Sequence, residues 1–135
     1  GWMLLGLAPG GQLLGVDLVD LGDKAFAGEA GHQLEGYAFA PQEREILGRL
    51  REPARRMARA RAWALKESVA KASGEGLAGE AGIPVVAGAN VHRLLRLKRT
   101  RVMELLPGSR DMRGNLLPEN LMGALLWGGR DSTSG

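Results

Sequence analysis

The sequence predicts an α+β domain, an antiparallel sheet packed on one long helix and a shorter one, and three observations carry that expectation. Short apolar runs broken by glycine- and proline-containing turns lie towards both ends of the chain. Between them runs a continuous stretch of helix formers from Pro53 to Ser73. A shorter helical stretch opens at Pro41.

Taken in order, Trp2 to Leu7, then Ala8-Pro9-Gly10-Gly11, then Gln12 to Val19 read as strand, turn and strand, that is, a hairpin with Asp17 near a strand end. Residues 20–36 carry Gly22, Gly28, Gly31 and Gly36 with little periodicity and read as loop, with room for one short helix. Pro41 suits a first helical turn and Glu43 its positive end, so Pro41 to Leu50 is a helix; Ala40 is a poor cap, and a frayed start follows. Pro53 opens the long helix by the same logic and Ser73-Gly74 closes it. Ile83 to Ala87, Arg93 to Lys98, Arg101 to Leu106 and Leu121 to Trp127 then read as strands of a meander, with turns at Gly88-Ala89-Asn90, Pro107-Gly108-Ser109 and Arg113-Gly114-Asn115. Residues 1–127 form a single domain on this reading, and 128–135, polar and glycine-rich, a disordered tail.

Composition narrows the function. With 44% apolar residues the chain has enough for a modest core, and with only 4% aromatics that core must be aliphatic. The absence of cysteine removes disulfides, thiolate metal sites and a thiol nucleophile, so chemistry must come from oxygen, nitrogen or a metal. A net charge of +3 leans towards acidic or phosphate-bearing partners. Trp2 to Ala8 is too short to span a bilayer and no basic segment precedes it, which points to a cytoplasmic protein. The start Gly1-Trp2-Met3 is that of a chain freed from a tag or cut from a longer polypeptide.

The chemistry gathers around the long helix. Glu67 and Lys71, four residues apart, share one face with Trp63, while Ala58, Ala62, Leu65, Val69 and Ala72 line another. Such a Glu-Lys pair is by itself usually a surface salt bridge. A second carboxylate changes the weighing: Asp17 lies in the apolar run Leu13-Leu14-Gly15-Val16-Asp17-Leu18-Val19, where a charge is costly unless paired or bound to a metal.

Gly15-Val16-Asp17 on a strand, Phe39-Ala40-Pro41-Gln42-Glu43 at a helix start, Trp63-Ala64-Leu65-Lys66-Glu67-Ser68 leading to Lys71, and Lys71-Ala72-Ser73-Gly74-Glu75-Gly76-Leu77 together resemble the 4'-phosphopantetheinyl transferase superfamily, over roughly residues 13 to 77. The resemblance implies a transferase-like fold of the small holo-acyl-carrier-protein synthase kind, either a protein in itself or a domain of a larger synthase. It implies a reaction as well: the 4'-phosphopantetheine arm of coenzyme A moves to a serine hydroxyl of an apo acyl or peptidyl carrier protein, as in fatty-acid or polyketide biosynthesis. It makes Asp17 and Glu67 the ligands of Mg2+, Glu67 and Lys71 the catalytic pair, and Lys66, Lys71 and Arg61 the contacts to coenzyme A, whose phosphates suit basic side chains. Val19, two residues after Asp17, stands where larger members often have a further acid, and Asp23-Lys24 where small members tend to have Arg. The resemblance also implies a site completed at a junction between copies of the fold, here a homotrimer or a neighbouring domain.

Other readings follow from the same residues. The arginines Arg51, Arg55, Arg56, Arg59 and Arg61 make either a solvated face or a phosphate-binding strip. The run Arg93, Arg96, Lys98, Arg99, Arg101 could dock an acidic partner, and it lacks the interleaved aromatics of a single-strand nucleic-acid platform. His32 and His92 lie in no ligand or triad pattern and read as ordinary side chains. A transferase-like domain that has lost activity and serves as a structural piece of a synthase, and a small basic nucleic-acid-binding domain, are the alternatives to an enzyme.

Overall fold

The computed structural model describes residues 2–73 and 100–128. In chain order these form β1 (Leu13–Asp20), a 3-10 turn (Lys24–Phe26), α1 (Gly28–Ala38), α2 (Pro41–Gly48), α3 (Ala54–Ser73), β2 (Thr100–Leu105) and β3 (Leu121–Gly128). The sheet is antiparallel in the order β1-β3-β2, so the last strand in sequence lies between the other two. The expected α+β class is the one observed, with α3 packed on one face of the sheet.

Directly paired residues share a face of a sheet. Asp17 and Glu104 both pair with Ala124, so these three make one row across the sheet on the side towards α3. That side buries Gly15, Val19, Met122, Ala124 and Leu126. Against it packs α3, whose buried residues Ala60, Ala62, Ala64, Leu65, Ser68 and Val69 are mostly small and let the helix approach its neighbours closely. The core is aliphatic as composition requires, with Phe26 and Phe39 as its fully enclosed aromatics. Among the described residues no helix is long and apolar enough to cross a membrane.

Several expectations need correction. Trp2 to Leu7 does not pair with β1 as a hairpin strand; the turn at Pro9 forms, with Gln12 N–H donating to the Pro9 carbonyl at 3.3 Å, but the segment crosses the far face of the sheet. There Leu4 helps enclose an apolar cavity with Leu18, Leu105 and Leu121, and Gly6 lies against Val16 and Leu125. That face would otherwise be bare, and covering its leucines and valines outweighs extending the ladder. Residues 20–36 are not mainly loop. They hold the 3-10 turn, capped by Asp23 Oδ1 accepting from Ala25 N–H at 2.9 Å, and an eleven-residue α1 whose glycines hide its helical pattern. Helix α2 stops at Gly48, short of Leu50, and Gly128 of the expected tail belongs to β3.

The start of α2 is held in spite of Ala40. Glu43 accepts from the Ala40 N–H at 3.0 Å, supplying half of a capping box. The turns at Pro107-Gly108 and Arg113-Gly114 are present, with φ of 70° and 84° at the glycines, where other residues would be strained. The expected strands Ile83 to Ala87 and Arg93 to Lys98, and residues 129–135 of the expected tail, lie outside the described residues.

Candidate active site

The site is built where α3 presses hardest on β1. A Cβ at Gly15 would overlap the Ser68 carbonyl oxygen and stand 2.9 Å from the Ala72 nitrogen, so only glycine lets the helix backbone rest on the strand here. The buried Ser68 hydroxyl secures the contact, its single hydrogen shared between the carbonyls of Ala64 at 2.8 Å and Ala124 at 2.9 Å. Ala124 is the residue paired with Asp17. Glu67 and Lys71, flanking Ser68 along the helix, are thereby brought beside Asp17.

Lys71 reaches across to the strand. Its Nζ donates to Asp17 Oδ1 at 2.7 Å and to the Val16 carbonyl at 3.1 Å. The lysine side chain keeps 50% of its surface exposed, whereas the Asp17 carboxylate keeps 11%. The other carboxylate oxygen, Asp17 Oδ2, is buried without a hydrogen-bond partner among the described residues. Burial raises the Asp17 pKa above its ordinary value, and the hydrogen bond and charge of Lys71 offset this only in part. Glu67, half-buried, is also raised, first by loss of water and then by the Asp17 charge, with Lys71 opposing. Two mutually repelling carboxylates thus share one ammonium.

The buried oxygen with no partner is the feature that asks for a ligand. Two carboxylates short of positive charge beside a half-exposed lysine fit a hard divalent cation that takes oxygen ligands and keeps several waters. Val19 is packed in the core, so no third acid stands next along the strand. Among the described residues no cluster of three or more acidic or histidine side chains could hold a metal by itself.

Two residues assigned to coenzyme A lie elsewhere. Lys66 turns into the core, where both it and Glu43 are fully buried, paired at 2.7 Å with the ammonium 5.5 Å from the centre of the Phe39 ring. Arg61 spans to β2 and holds Glu104 with both ends of its fork, at 2.6 and 2.7 Å. The structure therefore unites Asp17, Glu67 and Lys71 and engages Lys66 and Arg61 within the fold.

Neither reading of the arginines on the first half of α3 fits Arg55 and Arg59. Both clamp Glu35 of α1, Arg55 through Nε at 3.0 Å and Nη2 at 2.7 Å, Arg59 through Nε at 2.9 Å and Nη2 at 2.7 Å. Arg59 also donates to the Phe26 carbonyl and is wholly buried in space that the missing side chain of Gly31 leaves. Sequence reasoning missed Gly15 and Ser68 as positioning residues. A glycine inside an apolar strand run was the available signal for the first. His32 is exposed on α1, and His92 lies outside the described residues.

A strand carboxylate facing a helix carboxylate and lysine in an α+β domain is an arrangement whose chemistry suits cations and phosphate groups. The family model of the 4'-phosphopantetheinyl transferase superfamily matches residues 13–100, which include Gly15, Asp17, Glu67, Ser68 and Lys71, and the chain belongs to that superfamily. No curated protein and no solved structure matches it.

Proposed function

We propose that the domain transfers the 4'-phosphopantetheine arm of coenzyme A to a serine hydroxyl of an apo acyl or peptidyl carrier protein. The reading rests on family membership and, within the molecule, on one observation: the unpartnered Asp17 oxygen beside Glu67 and Lys71. The serine oxygen attacks the phosphorus bearing the pantetheine arm, the bond from that phosphorus to the bridging oxygen breaks, and adenosine 3',5'-bisphosphate leaves. Asp17 and Glu67 are the residues that would hold Mg2+, which when bound supplies neutralising charge to the pyrophosphate and its leaving group. Glu67 itself, or a water held beside it, takes the serine proton. Lys71, flexible and half exposed, contacts the phosphate oxygens. Lys66 and Arg61 act on coenzyme A only if they leave the ion pairs that hold them.

A single domain of this size, with one long helix and a small aliphatic sheet, offers little wall for a ligand as large as coenzyme A, and we read the active unit as self-associated, a trimer of the domain or its junction with a neighbouring copy. Mass by light scattering at assay concentration tests this: a fully active monomer contradicts it. The reaction itself is tested by the intact mass of an apo carrier protein after incubation with the domain, coenzyme A and Mg2+. A pantetheine-sized gain that needs both additions is expected; no gain with a folded domain would leave it a structural piece. Coenzyme A-independent binding to nucleic acid that falls steeply with salt would favour the other alternative.

A further inference from the structure

The Lys71 contact is more than a charge partner for the site. Two of the three hydrogens of its ammonium are directed at β1, one to Asp17 Oδ1 and one to the Val16 carbonyl. That geometry places a positive charge on the carboxylate that the proposed reaction needs as a metal ligand. A lysine and a divalent ion cannot share Asp17 without mutual repulsion. Asp17 Oδ2 remains buried and unpartnered, so the ammonium occupies the carboxylate without satisfying it.

Resting on the function proposed above, we propose that Lys71 is an internal stand-in cation: it occupies Asp17 until a phosphate of coenzyme A draws it off, and so couples metal binding to co-substrate binding. The side chain is suited to this. It sits in the last turn of α3, half exposed, on a flexible stem that can swing from a carboxylate to a phosphate without moving the helix. Its removal from Asp17 frees one oxygen beside another that already lacks a partner. Binding free energies are reciprocal, so coenzyme A strengthens metal binding by the same factor as metal strengthens coenzyme A binding. The device keeps the two carboxylates from trapping an ion unless the group to be transferred is present.

The test is calorimetric titration of Mg2+ into the whole chain, wild type and Lys71→Met, with and without coenzyme A and in the absence of any carrier protein. Metal alone should bind Lys71→Met about tenfold more tightly than wild type, a coupling of ordinary size. The strengthening by coenzyme A should be smaller in the variant than in wild type. Lys71→Arg, which keeps a cation on Asp17, should bind metal alone no better than wild type. If Lys71→Met binds metal alone equally or more weakly, the stand-in role is wrong even where carrier modification proceeds. Tighter metal binding by Lys71→Met in a domain that modifies no carrier would uphold the competition and reject the transferase reading. Failure of all three chains to bind Mg2+, with or without coenzyme A, would overturn both.

Discussion

Helix α3 carries two ion clusters, and they are built on opposite rules. In its first half, Glu35 faces Arg55 and Arg59, and both carboxylate oxygens accept from guanidinium groups. Burial would raise the Glu35 pKa, but the hydrogen bonds from Arg55 and Arg59 outweigh it and hold the carboxyl below its ordinary range. In its second half, Asp17 and Glu67 share Lys71, both carboxyls are raised, and one oxygen has no partner. The first cluster joins α1 to α3 and is complete in itself; the second is short of positive charge. Where the fold is at stake the chain satisfies its buried groups, and at the site proposed to bind a ligand it leaves a deficit.

The contrast is broken most forcefully at its structural end. Glu35→Ala leaves two guanidiniums facing each other, one of them wholly buried, and should cost about 3–5 kcal/mol in denaturant unfolding. A loss below about 1 kcal/mol would mean that the arginines find water easily and the cluster does not hold α1. Asp17→Ala and Glu67→Ala should do the reverse. On the proposed function each loses a metal ligand, which costs several kcal/mol of transition-state stabilisation, at least about 100-fold in carrier modification, with no matching loss in thermal stability. A variant that is equally inactive because it is unfolded would return the pair to the structural class.

Gly15→Ala sharpens the comparison by striking the geometry alone. Its methyl group would push the Ser68 carbonyl off the strand, with a cost of about 1–3 kcal/mol and a larger separation of Glu67 from Asp17. Stability and Mg2+ affinity should fall together, and an unchanged metal affinity would show that the close approach does not set the site.

The smallest effect is the response to acid, which should differ in sign between the clusters. Glu35, lowered from its ordinary 4.5, stabilises the fold above that pH, and the contribution is lost as pH falls through the lower folded value. Asp17 and Glu67, raised from 3.8 and 4.5, cost stability when ionised at neutral pH, and acid relieves that cost as pH falls through their raised values. Thermal melts against pH should therefore show Glu35→Gln flattening the loss below 4.5, and Asp17→Asn flattening the gain at higher pH. The same slope in all three proteins would contradict the opposed shifts.

How legible all this was in the sequence follows from the range of each signal. Helix α3 and strands β1, β2 and β3 were readable because periodicity and turn residues act locally. Asp17, Glu67 and Lys71 were readable as a set only because four motif stretches fell together in order; which carboxylate Lys71 holds was not, since Asp17 lies far off in sequence. Helix α1 escaped because Gly28, Gly31 and Gly36 argue against a helix, and its reason for holding, the Glu35 clamp with Gly31 making room for Arg59, is a tertiary one. The segment Trp2 to Leu7 misled in the opposite way: its apolar residues suited a strand, but the need to cover the leucines on the far face of the sheet decided its place. Lys66 and Arg61 looked like Lys71 in the sequence, and only the positions of Glu43 and Glu104 set them apart.

The central claim, that the unsatisfied cluster is the working site, is tested most directly by one substitution that removes charge but not shape. The rate of Mg2+-dependent carrier modification should be measured by intact mass for wild type and Asp17→Asn in the same assay. The account predicts a fall of at least about 100-fold in a chain that melts no lower than wild type. A rate near that of wild type would contradict it.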